Sequence, residues 1–471
     1  ISKAISGKQK KQMLKEEKLK KINKKLNEGV VSDQPISDPA NFFLKFVNDS
    51  NLTVQQNKEK AIEPFQQPPF YKIDPEIYLN EQNCPNLPLR PPNPQNLSLE
   101  EYEKEEEKVF EQYFKKISPD MQQVATEYCQ FELNKNVYRE VWRVTERSDV
   151  VCLIVDARFP LAHCPVNFFN YYKANKKPII LLINKSDLVS PLQLTQHEDF
   201  FKHYFVKMKL KADVITYSAM TTPRMELLTK IVKMSRQLVK KYPPTQITIG
   251  FMGQPSVGKS KTMNLLVGHK VTKVRITAGC TKHLQTYFLE DFEDETNRSV
   301  LFCDCPGLVL PVKNSPRPLQ ILTGVFPTGR VREFYSVIRL LAENSPKSAE
   351  QIKNMVNQKM IMSRYDKEVQ FDTPDQMLNA LAYQLGFLNK SGPWAHKAGL
   401  WLFQRITEGG FHYEFGLDQI NVDWWENKWK GGERKWDGSC MIKIGHAEEK
   451  QNEQLLNQQE NGEENEEVEE K

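Results

Sequence analysis

The octapeptide Gly253-Gln254-Pro255-Ser256-Val257-Gly258-Lys259-Ser260 constrains the fold of this chain more than any other feature. An apolar run, residues 245–250, precedes it, and a helix-like stretch begins at Lys261. Glycines in a loop between strand and helix let successive backbone N–H groups face one concavity, and the helix N-terminus adds its positive dipole. Such a loop sits at the C-terminal edge of a strand in an α/β sheet. Its backbone, Gly253 through Gly258, cradles phosphates. Lys259 is placed at the β- and γ-phosphates, the Ser260 hydroxyl is offered to Mg²⁺, and Lys261 continues the helix.

Five more apolar runs complete a sheet. Residues 150–156, 178–184, 213–218, 285–291 and 299–304 are strand candidates, and helical stretches or loops separate most of them. That alternation predicts an α/β fold with a doubly wound, mostly parallel six-stranded sheet covered on both faces. The runs 285–291 and 299–304 are joined by a short polar turn, which predicts antiparallel pairing.

A phosphate loop alone leaves the base open. Asn184-Lys185-Ser186-Asp187 closes the run 178–184, at the strand edge where nucleotides bind in such sheets. The Asp187 carboxylate accepts from both N1–H and the 2-amino group of guanine, a donor pair that adenine lacks. Asn184 serves the loop and the base edge, and the Lys185 stem covers a ring face. Ser218-Ala219 fits the loop whose backbone N–H meets guanine O6. Asp304-Cys305-Pro306-Gly307 ends the last strand; Asp304 would hold Mg²⁺ through water and the Gly307 N–H would sense the γ-phosphate. Thr277 and Thr281 lie in between, where a switch loop supplies a Thr to Mg²⁺. Thr281 is the favoured candidate, against the plainer reading of a hydroxyl satisfied within a turn. Lys259, Thr281, Asp304 and Gly307 are thus the catalytic candidates for GTP hydrolysis, and Ser260, Thr281 and Asp304 the Mg²⁺ ligands.

The order of these motifs is itself informative. In ordinary GTPases the phosphate loop comes first, whereas here both base motifs precede it. The same sheet can be built with this cut if the new ends are tied down elsewhere, because domain termini often lie close together. The cut leaves the Asp304 region leading directly into the C-terminal part of the chain.

Around this domain, taken as residues 98–330, the chain divides further. Ser98 and Glu101 form a capping box for a helix starting near Leu99, and a second helix is expected over 120–147. Helices at 334–343, at 376–385 behind the Thr373 cap, and at 394–407 predict a smaller, mainly helical domain over 331–446. Residues 31–97, rich in Pro, Asn and Gln, read as extended and weakly structured. The net charge of +5 hides a polarised layout. Residues 1–30 carry ten Lys against three Glu, and residues 447–471 carry ten Glu against two Lys. The basic arm favours RNA contact or nuclear import over a merely solvated tail, and the acidic tail reads as disordered. Trp424, Trp425, Trp429 and Trp436 lie among charges; packing onto a core is favoured over stacking on RNA bases. Apolar runs are too short to span a bilayer and no signal peptide is evident, so no membrane role is expected. The eight Cys lack C-x-x-C spacing and read as reduced thiols of an intracellular protein, not zinc ligands. The chain opens on Ile1, so residues are expected to precede it.

With these residues in place the chain resembles the circularly permuted GTPases of the YlqF/YawG type, in the branch that contains guanine nucleotide-binding protein-like 1 and the large-subunit GTPase Lsg-one. The resemblance covers about residues 128–345 and, more loosely, 373–411. Beyond the nucleotide motifs it rests on Phe131-Glu132, Val141-Trp142-Arg143-Val144, Ser148-Asp149, Asp156-Ala157-Arg158, Gln285-Thr286-Tyr287-Phe288, 303–308 and the N-terminal Ser6-Gly7-Lys8-Gln9-Lys10-Lys11. It implies GTP hydrolysis coupled to ribosome assembly, most often of the large subunit, in the nucleus, nucleolus or cytoplasm. It also implies a basic arm and a C-terminal domain that touch ribosomal RNA in a pre-ribosomal particle. Leu308 stands where signalling GTPases carry a water-orienting Gln, so intrinsic turnover should be slow and an activating protein or bound cation is expected. Ser256 stands where the family usually has an Asn that helps bind potassium, which weighs against K⁺ stimulation. Ala278 replaces the usual Pro before Gly279. Two other readings stay open: a GTP-dependent switch for protein partners, and a nucleotide-binding scaffold with little hydrolysis and no RNA role.

Overall fold

The computed structural model describes residues 51–71, 73–92, 97–117, 128–239, 246–270, 285–289, 292, 299–326, 328–411 and 413. The strands are β1 Val150–Asp156, β2 Ile179–Asn184, β3 Ala212–Thr216, β4 Gln246–Met252, β5 Gln285–Phe288 and β6 Ser299–Asp304. They form one six-stranded sheet in the order β3-β2-β1-β4-β6-β5. Neighbours are parallel except β5 and β6, which pair antiparallel with Gln285 opposite Asp304. The fold is therefore the α/β architecture expected, with strand ends shifted by a few residues. The permutation is visible in the order. β1, β2 and β3 come first in the chain, and β4 then enters between β1 and β6.

Helices α1 Asn51–Lys60, α2 Glu76–Leu79, α3 Leu99–Ile117 and α4 Lys135–Arg147 precede the sheet. α5 Pro160–His163 and α6 Val166–Ala174 lead from β1 to β2, α7 Pro191–Lys207 from β2 to β3, and α8 Arg224–Leu238 from β3 to β4. α9 Lys259–Val267 follows β4. After β6 come α10 Arg317–Leu322, α11 Tyr335–Asn344, α12 Pro346–Asn354, α13 Gln358–Tyr365, α14 Pro374–Leu385, the hairpin β7 Leu388–Asn389 and β8 Gly392–Pro393, and α15 Ala395–Glu408.

Strand alternation sorts the core into two faces. Val151, Leu153 and Val155 of β1 join one apolar cluster with α4, α6 and α7, and that cluster continues into Leu341, Leu378 and Leu402 of the C-terminal helices. Cys152 and Ile154 face the other cluster, made with Leu228 and Ile231 of α8 and Met263 and Leu266 of α9. No helix of the described residues is long and apolar enough to cross a membrane.

Local signals placed several helices well. Ser98 N donates to Glu101 Oε2 at 2.9 Å and Glu101 N to Ser98 Oγ at 3.3 Å, the capping box of α3. Gln376 N donates to Thr373 Oγ1 at 3.2 Å, and α14 begins at Pro374. Two expectations are corrected. α4 starts at Lys135, capped by Asn134, so residues 128–134 of the helix expected over 120–147 are not helical, while 120–127 lie outside the described residues. The residues just before it are extended because they pair with the segment after β6: Cys129 N donates to the Val312 carbonyl at 2.9 Å and Glu132 N to the Val309 carbonyl at 3.0 Å. The described part of 31–97 is also ordered against the core. Buried Arg339 donates to the carbonyls of Lys60, Glu63 and Pro64, and its salt-bridge partner Glu343 accepts from Gln66 N and Phe70 N. Trp142 Nε1 donates to the Pro88 carbonyl at 2.8 Å.

Candidate nucleotide site

Loops from β1, β2, β3, β4 and β6 converge at the C-terminal edge of the sheet. β4 ends at Met252 and turns directly into the loop that opens α9 at Lys259. Gly253, Ser256 and Gly258 in that loop have φ of 146°, 63° and 100°. A Cβ on Gly253 would stand 2.5 Å from the Ile154 carbonyl oxygen, and one on Gly258 2.3 Å from Asn184 Nδ2. Glycine at 258 therefore lets the base loop touch the phosphate loop. Lys259 is buried and donates from Nζ to the carbonyls of Gly253 (3.0 Å) and Gln254 (2.9 Å). Burial lowers its pKa, with Asp304 opposing. Gln254, Pro255 and Val257 are buried, and Ser260 and Lys261 occupy the first turn of α9.

Asn184 joins three motifs. Its Nδ2 donates to the Val257 carbonyl at 2.8 Å, and its Oδ1 accepts from Ala219 N at 3.0 Å. Lys185 is left-handed at φ 64°. Its Nζ lies 3.0 Å from the Ser256 carbonyl oxygen and 2.8 Å from Asp156 Oδ2. Ser186–Leu188 is a short 3₁₀ turn that leaves Asp187 exposed. Ser218 is buried; its N donates to Thr222 Oγ1 and its Oγ accepts from Met220 N, closing a turn that presents Ala219 to Asn184.

Asp304, the last residue of β6, is buried, and neither carboxylate oxygen has a hydrogen-bond partner. Burial pushes its pKa up to about 6, with the Lys259 charge opposing. Two unsatisfied buried anionic oxygens fit a divalent cation, the group for which the sequence singled out Asp304 and Ser260. Gly307 lies against the loop: a Cβ there would be 3.2 Å from Lys259 Nζ and from Pro255 Cγ. Leu308 is fully buried in the apolar cluster and cannot orient water. Thr281, with Thr277, Ala278 and Gly279, lies outside the described residues, as do the tryptophans at 424–436, the basic arm and the acidic tail.

Sequence reasoning assigned no chemistry to Asp156 and Arg158. Asp156 ends β1 in register with Asn184, and it anchors the Lys185 ammonium. Arg158 holds the same carboxylate through Nε (3.0 Å) and Nη2 (2.7 Å). Burial works against ionisation of Asp156, but the Arg158 and Lys185 charges outweigh it and hold its pKa well below the ordinary carboxylate range. The available signal was an acidic residue closing the strand beside the one that carries Asn184.

Residues 248–371 match the family model described as 50S ribosome-binding GTPase. The match begins in β4 and covers the phosphate loop and Asp304, while the base loops lie upstream of it. The chain is 27% identical to guanine nucleotide-binding protein-like 1 of Homo sapiens and of Macaca fascicularis, across 66% of this chain and 62% of each relative. It is 29% identical to GTPase LSG1-2 of Arabidopsis thaliana, across 65% of this chain and 58% of that protein. The chain thus spans less than two thirds of the length of these relatives.

Proposed function

We propose that this chain, a circularly permuted GTPase similar to guanine nucleotide-binding protein-like 1 and GTPase LSG1-2, binds and hydrolyses GTP as an assembly factor on a ribosomal particle, with the large subunit favoured. The observation that carries the nucleotide half is the Asn184 side chain, which bonds at once to the phosphate loop and to the Ser218-Ala219 loop. Those contacts make one pocket from motifs in permuted order. In this reading residues 253–261 hold the phosphates, Asp187 reads guanine, and Lys185 covers the ring. Ser260, Thr281 and Asp304 hold Mg²⁺, which supplies charge neutralisation at the phosphates when bound. Lys259 and the Gly307 N–H stabilise charge at the γ-phosphate. Ser256 lacks the amide that would help hold potassium, which weighs against K⁺ stimulation.

The particle half is supported by the matched family's description and by the ten lysines of the basic arm. In this reading the protein works on ribosomal RNA, in the nucleolus or cytoplasm. Two measurements test it. Asp187→Asn exchanges one acceptor for a donor, so it should lower GDP affinity at least tenfold and raise affinity for the xanthine nucleotide. Full-length protein should co-sediment with ribosomal particles in a manner that weakens steeply with salt and with deletion of residues 1–30. Tight GDP binding without any particle association would leave a GTPase of other partners. Leu308, buried and apolar, favours a second reading in which hydrolysis is negligible and the protein is a nucleotide-dependent scaffold. Single-turnover hydrolysis with Asp304→Ala as control decides between them.

A further inference from the structure

A line of buried contacts leads from the nucleotide site to the C-terminal end of α15. The Ser256 carbonyl accepts from Lys185 Nζ, and Lys185 pairs with Asp156. Asp156 is gripped at both oxygens by Arg158, and Arg158 Nη1 donates to the Ile406 carbonyl at 2.7 Å. Ile406 lies in the last turn of α15; its carbonyl also accepts from the Gly409 N–H at 3.3 Å, and the negative end of the helix dipole favours a cation there. The guanidinium also lies 4.6 Å from the centroid of the Tyr413 ring. Packing repeats the connection. A Cβ on Gly409, the left-handed C-cap of α15, would stand 3.2 Å from Leu188, the neighbour of Asp187. One on Gly324 would stand 2.9 Å from Ser256 Cβ and 3.9 Å from Thr407.

A buried ion pair is a weak source of stability, because its desolvation cost offsets most of the attraction. What this one does is fix geometry. Arg158 has its donors on two elements, the strand end that steadies Lys185 and the helix end 248 residues away. A nucleotide that orders Lys185 and the 185–188 turn must order the group they lean on.

We propose that Arg158 is a positioning residue that ties occupancy of the nucleotide site to the seating of the C-terminal end of α15. This rests on the nucleotide-site reading above and adds to it an output on the base side of the pocket. Coupling of this kind is reciprocal: loosening the end of α15 must weaken the nucleotide by the factor with which the nucleotide tightens α15.

The test uses the full chain and GDP as the probe. GDP should slow amide exchange at residues 405–410 of the wild type and leave Arg158→Lys unaffected. Tyr413→Leu changes no residue of the nucleotide loops, yet it should weaken GDP binding about fivefold to tenfold. The double variant should lose no more than Arg158→Lys alone, since the two act through one contact. Tyr413→Leu that lowers the melting temperature but leaves GDP affinity unchanged overturns the proposal, and it carries the test alone if Arg158→Lys fails to fold. A wild type that binds GDP without added protection at α15 sinks the coupling only, whereas one that binds no guanine nucleotide sinks the site reading with it.

Discussion

Gly258 carries two demands at once, a φ of +100° and the close approach of Asn184 Nδ2 to the space its Cβ would fill. Gly258→Ala should therefore break the Asn184–Val257 contact and cut GDP affinity at least a hundredfold by titration. The melting temperature should fall much less, because the collision is confined to the pocket. The glycine spacing was legible in sequence because only glycine occupies such positions without strain. Ser256 is the exception: a side chain held at φ 63°, its carbonyl bonded to Lys185. Asp304 shows the other limit of reading residues. The motif identified the carboxylate, but only its burial in the fold raises its pKa to about 6, against the opposing Lys259 charge.

Elements were legible where their signals are local. The α3 capping box and the α14 cap each close within a few residues, so the sequence carries the whole interaction. Residues 128–134 are not helical because the strand-like pairing of 129–132 with 309–312 overrides any helical pattern there. The segment 51–71 looked unstructured for the same reason: its backbone partners, Arg339 and Glu343, are more than 270 residues away. Glu343→Gln would leave the buried Arg339 charge without its countercharge and weaken the acceptor for two amides. The cost should be about 3 kcal/mol in urea unfolding. Limited proteolysis should cut first within 51–71; cleavage elsewhere with unchanged stability would show that this pair does not anchor the segment.

At the scale of the molecule, burial decides the response to acid. His163 and His197 are buried, and burial lowers both to about 4, with Asp156 opposing the shift at His163. Both are neutral in the fold and bind protons on unfolding. Their contribution to stability is complete above the ordinary value near 6.5 and is lost as pH falls toward 4. Asp304, raised to about 6, acts in the opposite sense over part of that range. His197→Leu removes one of the two histidines, so unfolding free energy should fall less steeply between pH 6.5 and 4. The difference should be about 1.4 kcal/mol per pH unit. An unchanged slope in denaturant titrations would mean that His197 is already protonated in the fold.

The sequence by itself determined the strands, the motifs at their ends and the permuted order, because continuous apolar runs and loop glycines are local properties of the chain. It determined guanine as the base to expect, because a carboxylate acceptor in that motif matches guanine's donors. Tertiary structure decided how the motifs meet: Asn184 bridging two loops, Lys185 held by Asp156, Arg158 reaching Ile406. It also decided that the helices after β6 share one apolar cluster with the sheet. Those contacts join residues distant in sequence, and nothing in a local pattern encodes which distant group will satisfy a buried charge or carbonyl.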